Sequence, residues 1–200
     1  QALIEAVVGR YDIAQRWYRL KAQVLGLDRL ADYDRMASVA EDESEIGWDE
    51  ASSLVHDAYA SFSPELAEIV QRFYDESWID APVRPGKRPG AFCAYTVPSH
   101  HPYVLLNWTA RRRDVLTLAH ELGHGVHQYL SRQRGYFECD TPLTMAETAS
   151  VFGELRAFEE LRRRFAEAIK QRSRDDWEGI FADSDACVAP VLSLSEVHHH

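Results

Sequence analysis

His120 and His124 stand four residues apart, with Glu121 directly after the first histidine. On an α-helix that spacing stacks the two imidazoles one turn apart on one face, where both can reach a single metal ion. Glu121 flanks that face. Its carboxylate is placed to take a proton from a water that the metal has acidified, rather than to bind the metal. The chemistry on offer is hydrolysis by an activated water, with Glu121 as general base. A tetrahedral site also needs a third protein ligand and an open position. His127 shares the face of both histidines but lies too far along the axis, at about 1.5 Å per residue, to meet a metal held between them. The longer pattern with three histidine ligands wants glycine at 127 and histidine at 130, where this chain has His127 and Leu130.

Glu147 is the stronger candidate for third ligand. It opens a second apolar helix after a turn at Gly135 and a loop carrying Pro142, a connection that can fold back antiparallel to the first helix. Spacing alone leaves two readings open, because Thr144-x-x-Glu147 is also a capping-box pattern that would occupy the carboxylate with a backbone N–H. Glu154, two turns further on the same face, could accept a hydrogen bond from a ligand histidine and orient it. Cys139 lies between the two helices and is read as a small, partly buried side chain rather than a ligand.

Four segments carry a resemblance: Gly86 to Cys93, His101 to Trp108, Asp114 to Tyr129 and Ala146 to Glu154. Together they resemble the oligoendopeptidase F branch of the thimet oligopeptidase-like zinc metallopeptidases. The resemblance implies that His120, His124 and Glu147 bind one Zn2+, that Glu121 is the catalytic base, and that a mostly helical fold cleaves short peptides inside a deep channel. Members of that family are much longer, and the segment that supplies their other channel wall has no counterpart here. A zinc-binding fragment without catalytic activity is therefore the rival expectation. From Leu161 to Glu196 the chain resembles a C-terminal piece of the α-methylacyl-CoA racemase and family III CoA-transferase group, which implies a composite chain joined between Leu155 and Phe165. The expected division is a partial metallopeptidase domain over 1–157 and a helical tail over 158–200, with a CoA-ester-related role for the tail as the weaker alternative.

Two hundred residues allow one domain with an appendage and suffice for a core. A net charge of -10 argues against nucleic acid as a partner. The basic runs Arg111 to Arg113 and Arg162 to Arg164 read as solvated helix faces. Cys93, Cys139 and Cys187 are odd in number and widely spaced, which fits a reducing cytoplasm. No apolar run is long enough to span a membrane, and no signal peptide is expected. Gln1 already sits inside a helical pattern, so the chain is expected to begin mid-protein. His198 to His200 are given no function.

The elements that must position the site follow from periodicity. Apolar residues from Leu3 to Leu25 keep a helical period, predicting one long helix that ends near Gly26 with Trp17 and Tyr18 in the core. Asp28 to Gly47 is an acidic connector centred on residues 40–45. Trp48 to Phe62 is helical, and Ser63-Pro64-Glu65 caps another helix running to about Trp78. Prolines and glycines from Pro82 to Gly90 mark a loop. Ala91 to Val97 and Tyr103 to Trp108 read as two short strands, with His100 and His101 at the surface between them. The fold class expected is mainly α with a small antiparallel β element, a zincin-like arrangement. The strand Tyr103 to Trp108 is expected to offer a free edge on which an extended peptide substrate could pair. No repeat, phosphate loop or nucleophile elbow is present.

Overall fold

A computed structural model of the chain describes residues 1–37, 39 and 45–182. The centre of the acidic connector, Cys187, the segment from Asp185 to Ser193 and the terminal histidines lie outside the described residues. The chain divides into two compact units, Gln1–Ser44 and Glu45–His200.

In the first unit the expected single helix is two, α1 (Ala2–Val8) and α2 (Tyr11–Val24), because the chain turns at Gly9 and Arg10. Gly26 then ends the helical run at φ +66°, a left-handed backbone that only glycine adopts without strain. Trp17 and Tyr18, expected in the core, are 48% and 40% exposed. The buried positions are Lys21 and Ala22 instead, and Lys21 donates through Nζ to the Arg35 carbonyl at 2.8 Å. A helical period shows which residues share a face. It does not show that anything covers that face.

The second unit holds the core. Its helices are α3 (Trp48–Ala60), α4 (Pro64–Asp75), α5 (Arg112–Ser131), α6 (Leu143–Lys170) and α7 (Arg174–Phe181), and its strands are β1 (Ile79–Pro82), β2 (Phe92–Ala94) and β3 (Tyr103–Trp108). Ser63 caps α4 by accepting from the Leu66 amide at 3.3 Å, with Pro64 at the first helical position, as the sequence predicts. Leu54, Val55 and Tyr59 of α3, Val70 and Phe73 of α4, and Val115, Leu118 and Leu122 of α5 form the centre of the packed core. The region 155–165 lies within α6, which runs unbroken from Leu143 to Lys170. Arg163 and Arg164 are not simply solvated, since both hold the buried Glu160, and Arg164 also reaches Asp57 at 2.8 Å.

The sheet has three strands in the order β1-β3-β2. β2 pairs antiparallel with β3, joining Cys93 to Val104, and β1 pairs parallel with β3, joining Ile79 to Val104. The small β element is therefore mixed rather than purely antiparallel. Ile79-Asp80-Ala81-Pro82 carries too few β-forming residues to announce itself. This strand corrects the expected free edge, because β3 has a neighbour on each side and cannot accept a third. β2 is the half-buried outer strand that lines the cleft with the histidines. His101 is also not a plain surface residue: its ring stacks on Trp78 with centroids 3.9 Å apart. Among the described residues no helix is long and apolar enough to cross a membrane.

Candidate metal centre

α5 is fixed at its start by Asp114, whose carboxylate accepts from the Thr109 amide and hydroxyl, each at 2.7 Å, and from the Arg111 amide at 3.2 Å. One side of the helix buries Val115, Leu118, Ala119 and Leu122. That burial turns His120, Glu121 and His124 toward a cleft of about 500 Å³ between β2 and the start of α6.

Glycines set how closely the second helix approaches. A Cβ added at Gly123 would stand 2.4 Å from the Ala149 carbonyl oxygen and 2.7 Å from the Ser150 Cα. One added at Gly153 would stand 2.4 Å from the Ala119 carbonyl oxygen. α5 and α6 therefore meet backbone to backbone, and this contact carries Glu147 to the histidines. Its carboxylate oxygen Oε2 lies 3.5 Å from His120 Nε2 and 3.7 Å from His124 Nε2. One ligand atom from each of His120, His124 and Glu147 lies within 4.8 Å of the others. Of the two readings left open by spacing, the capping box does not form. α6 begins at Leu143 with Pro142 before it, and the Glu147 carboxylate accepts from Ser150 Oγ at 2.9 Å.

Glu154 sits 3.3 Å from His120 Nδ1. With Nδ1–H donated to that carboxylate, Nε2 presents its lone pair toward His124 and Glu147. His127 does not join the group, and its Nδ1 is buried without a hydrogen-bond partner. Cys139 is buried and turns its thiol to the Tyr136 carbonyl at 3.5 Å, away from the group.

Glu121 is 7% exposed. Burial raises the pKa of its carboxyl; His120 opposes the rise, the Glu147 carboxylate adds to it, and the Cys93 amide opposes it. The result is a carboxylate with raised proton affinity beside the histidine pair. His124 is held below its ordinary value by burial, against the upward pull of Glu147. Cys93, with its thiol pushed up to about 12 by burial and then by Glu121, is not a nucleophile at neutral pH. The further cleft residues Phe92, Tyr95, Gln128 and Thr141 were not singled out from the sequence. The only signal for them is that they flank the two site helices and the second strand.

A family model described as peptidase family M3 matches residues 7–181. The chain belongs to that family. Among curated members it is 32% identical over 155 residues to the group B oligopeptidase PepB of Streptococcus agalactiae, covering 77% of this chain and 26% of the relative. It is 29% identical over 154 residues to the oligopeptidase PepF of Bacillus subtilis, covering 76% of this chain and 23% of the relative. The chain thus spans about a quarter of the length of these M3 relatives. A structure from Chlamydophila abortus, titled as a peptidase, superposes with a TM-score of 0.58 at 26% identity, over 90% of this chain and 31% of that one. PZ peptidase A, solved with an inhibitor, shares the fold with a TM-score of 0.63 at 23% identity, over 76% of this chain and 27% of that one.

Proposed function

We propose that the chain carries the catalytic centre of a zinc-dependent metalloendopeptidase that hydrolyses short peptides in a reducing cytoplasm. His120, His124 and Glu147 would hold one Zn2+. The donor set fits that ion: two imidazole nitrogens and one carboxylate oxygen are its usual ligands, and three protein ligands leave a position open. With His120 Nδ1–H donated to Glu154, His120 Nε2 and the Glu147 carboxylate oxygen face each other as electron-pair donors, which a cation reconciles. When bound, zinc polarises a carbonyl and lowers the pKa of a water from about 15.7 to about 7.

Glu121 takes the proton from the attacking water at a carboxylate oxygen and returns a proton to the departing amine nitrogen. Its raised proton affinity suits the first transfer, since a carboxylate made more basic by burial takes a proton more readily. The half-buried outer edge of β2 forms one wall of the cleft, and its main-chain groups other than the Cys93 amide, which Glu121 takes, are the ones on offer to an extended peptide. Cys93 and Cys139 are both free thiols, in keeping with the reducing compartment.

The observation that carries this reading is the convergence of His120, His124 and Glu147 beside the buried Glu121. The test is cleavage of a quenched fluorescent peptide by the zinc-loaded chain beside Glu121→Gln, with zinc content measured in both. Turnover that disappears in the variant while zinc stays bound supports the assignment. Full activity in the variant refutes Glu121 as the base. Zinc bound by both with turnover in neither gives the rival reading, a metal-binding unit without catalysis.

A further inference from the structure

The cleft over α5 has a direction and a closed end. Gly153 of α6 packs at Ala119, Ala149 at Gly123, and Glu147 reaches His120 and His124. The antiparallel progression continues to Ser131, whose hydroxyl donates to the Cys139 carbonyl at 2.9 Å. On the opposite wall, Cys93 of β2 stands by Glu121, and the chain then runs on to Tyr95. There the two walls are tied together. The Tyr95 hydroxyl donates to Asp140, whose same oxygen accepts from the Thr141 amide at 2.9 Å. The trough is therefore barred at its Gln128 end.

What lies between the histidines and the bar is chemically mixed. Leu143 and Ala146 supply apolar surface. Gln128, only 6% exposed, supplies an amide, and the Thr141 hydroxyl is buried without a hydrogen-bond partner. Carboxylates stand at both limits, Glu121 and Glu147 at the inner one and Asp140 at the rim.

We propose that this barred end is a side-chain subsite, closed by the Tyr95–Asp140 bridge, that admits one peptide residue of medium size with an aliphatic stem and an uncharged tip. The proposal rests on the peptide-hydrolysis reading and deepens it. The stem lies against Leu143 and Ala146, and a hydrogen-bonding tip meets Gln128 and Thr141. The bar excludes a bulky ring, and the surrounding carboxylates disfavour an acidic tip. Leucine, methionine and glutamine fit this description, whereas tryptophan and glutamate do not.

Quenched peptides on one scaffold, carrying leucine, glutamine, glutamate or tryptophan next to the scissile bond on one side and then on the other, test it. On one side only, leucine and glutamine are expected to exceed glutamate and tryptophan by about tenfold or more in kcat/KM. Tyr95→Ala, which removes both ring and bar, narrows the leucine-to-tryptophan ratio to under about threefold. Tyr95→Phe keeps the ring, loses only the bridge and falls between. Equal use of leucine and tryptophan on both sides, or a ratio that Tyr95→Ala leaves unchanged, overturns the subsite. The same series is run as displacement of a labelled peptide from zinc-loaded Glu121→Gln, which reads binding without turnover. Ordered binding in a chain whose Glu121 form cleaves nothing overturns the catalytic reading and upholds the subsite. Cleavage without any order does the reverse, and no binding of any peptide overturns both.

Discussion

Gly123→Ala places a methyl group 2.4 Å from the Ala149 carbonyl oxygen, where ordinary contact begins at 3.4 Å. The obstacle is backbone on a neighbouring helix, so no side chain can swing aside, and α6 must retreat by about 1 Å at that point. Overpacking of this kind costs about 1–3 kcal/mol, from which alanine's better helix propensity returns about 1 kcal/mol. The net loss of stability is small, but the effect on metal is not. Glu147 is two residues from the displaced carbonyl and moves with it, while ligand distances tolerate only about 0.2 Å. Zinc affinity is expected to fall at least about tenfold, measured by competition with a chromophoric chelator, with thermal melting of the metal-free chain alongside. Gly179→Ala is the control, since a Cβ there meets nothing within 4 Å. Zinc affinity within twofold of the unaltered chain would refute the argument that Gly123 sets the distance between the helices.

Glu154→Ala removes the acceptor on His120 Nδ1 and should lower zinc affinity about 10- to 100-fold without unfolding the chain, read by the same chelator competition. Ser63→Ala removes the cap of α4 and should cost about 1 kcal/mol in urea unfolding. Glu160 is held at about 2 by hydrogen bonds from Arg163 and Arg164. Because its pKa is lowered in the folded chain, its stabilisation is complete above its unfolded pKa near 4.5 and is lost as pH falls toward 2. Solvent around Arg163 reduces the full linkage value to about 1–2 kcal/mol, so Glu160→Gln should be that much weaker at pH 7 and level with the unaltered chain near pH 2.

The histidine pair was legible because it depends only on the pitch of one helix. Glu147 was not decidable from spacing, because its carboxylate could serve a cap or face the histidines. What decides its placement is the Gly123 and Gly153 contact, and glycines in a helical run do not declare what they touch. The helices from Trp48 to Asp75 were legible from period and from the Ser63-Pro64 cap. β1 was not, since four residues ending in proline look like loop until a partner strand is known. Without β1, β3 reads as an edge strand. Trp17 and Tyr18 show the complementary limit: large apolar residues in a helical stripe say which face is apolar, and nothing in the local sequence says whether it is covered.

α6 is a 28-residue rod held near its middle by the Gly153 contact and fastened further on by Glu160, through Arg164, to Asp57 of α3. From Gly153, Glu147 lies about 9 Å toward one end and Glu160 about 10 Å toward the other at 1.5 Å per residue. Because α6 also bears on Gly123 at Ala149, between Gly153 and Glu147, the rod has no free pivot and behaves as a clamped beam. The ion pair to Asp57 adds a further fastening beyond Gly153, so the Glu147 carboxylate that faces His120 and His124 is carried by a rod held on both sides of its glycine contact.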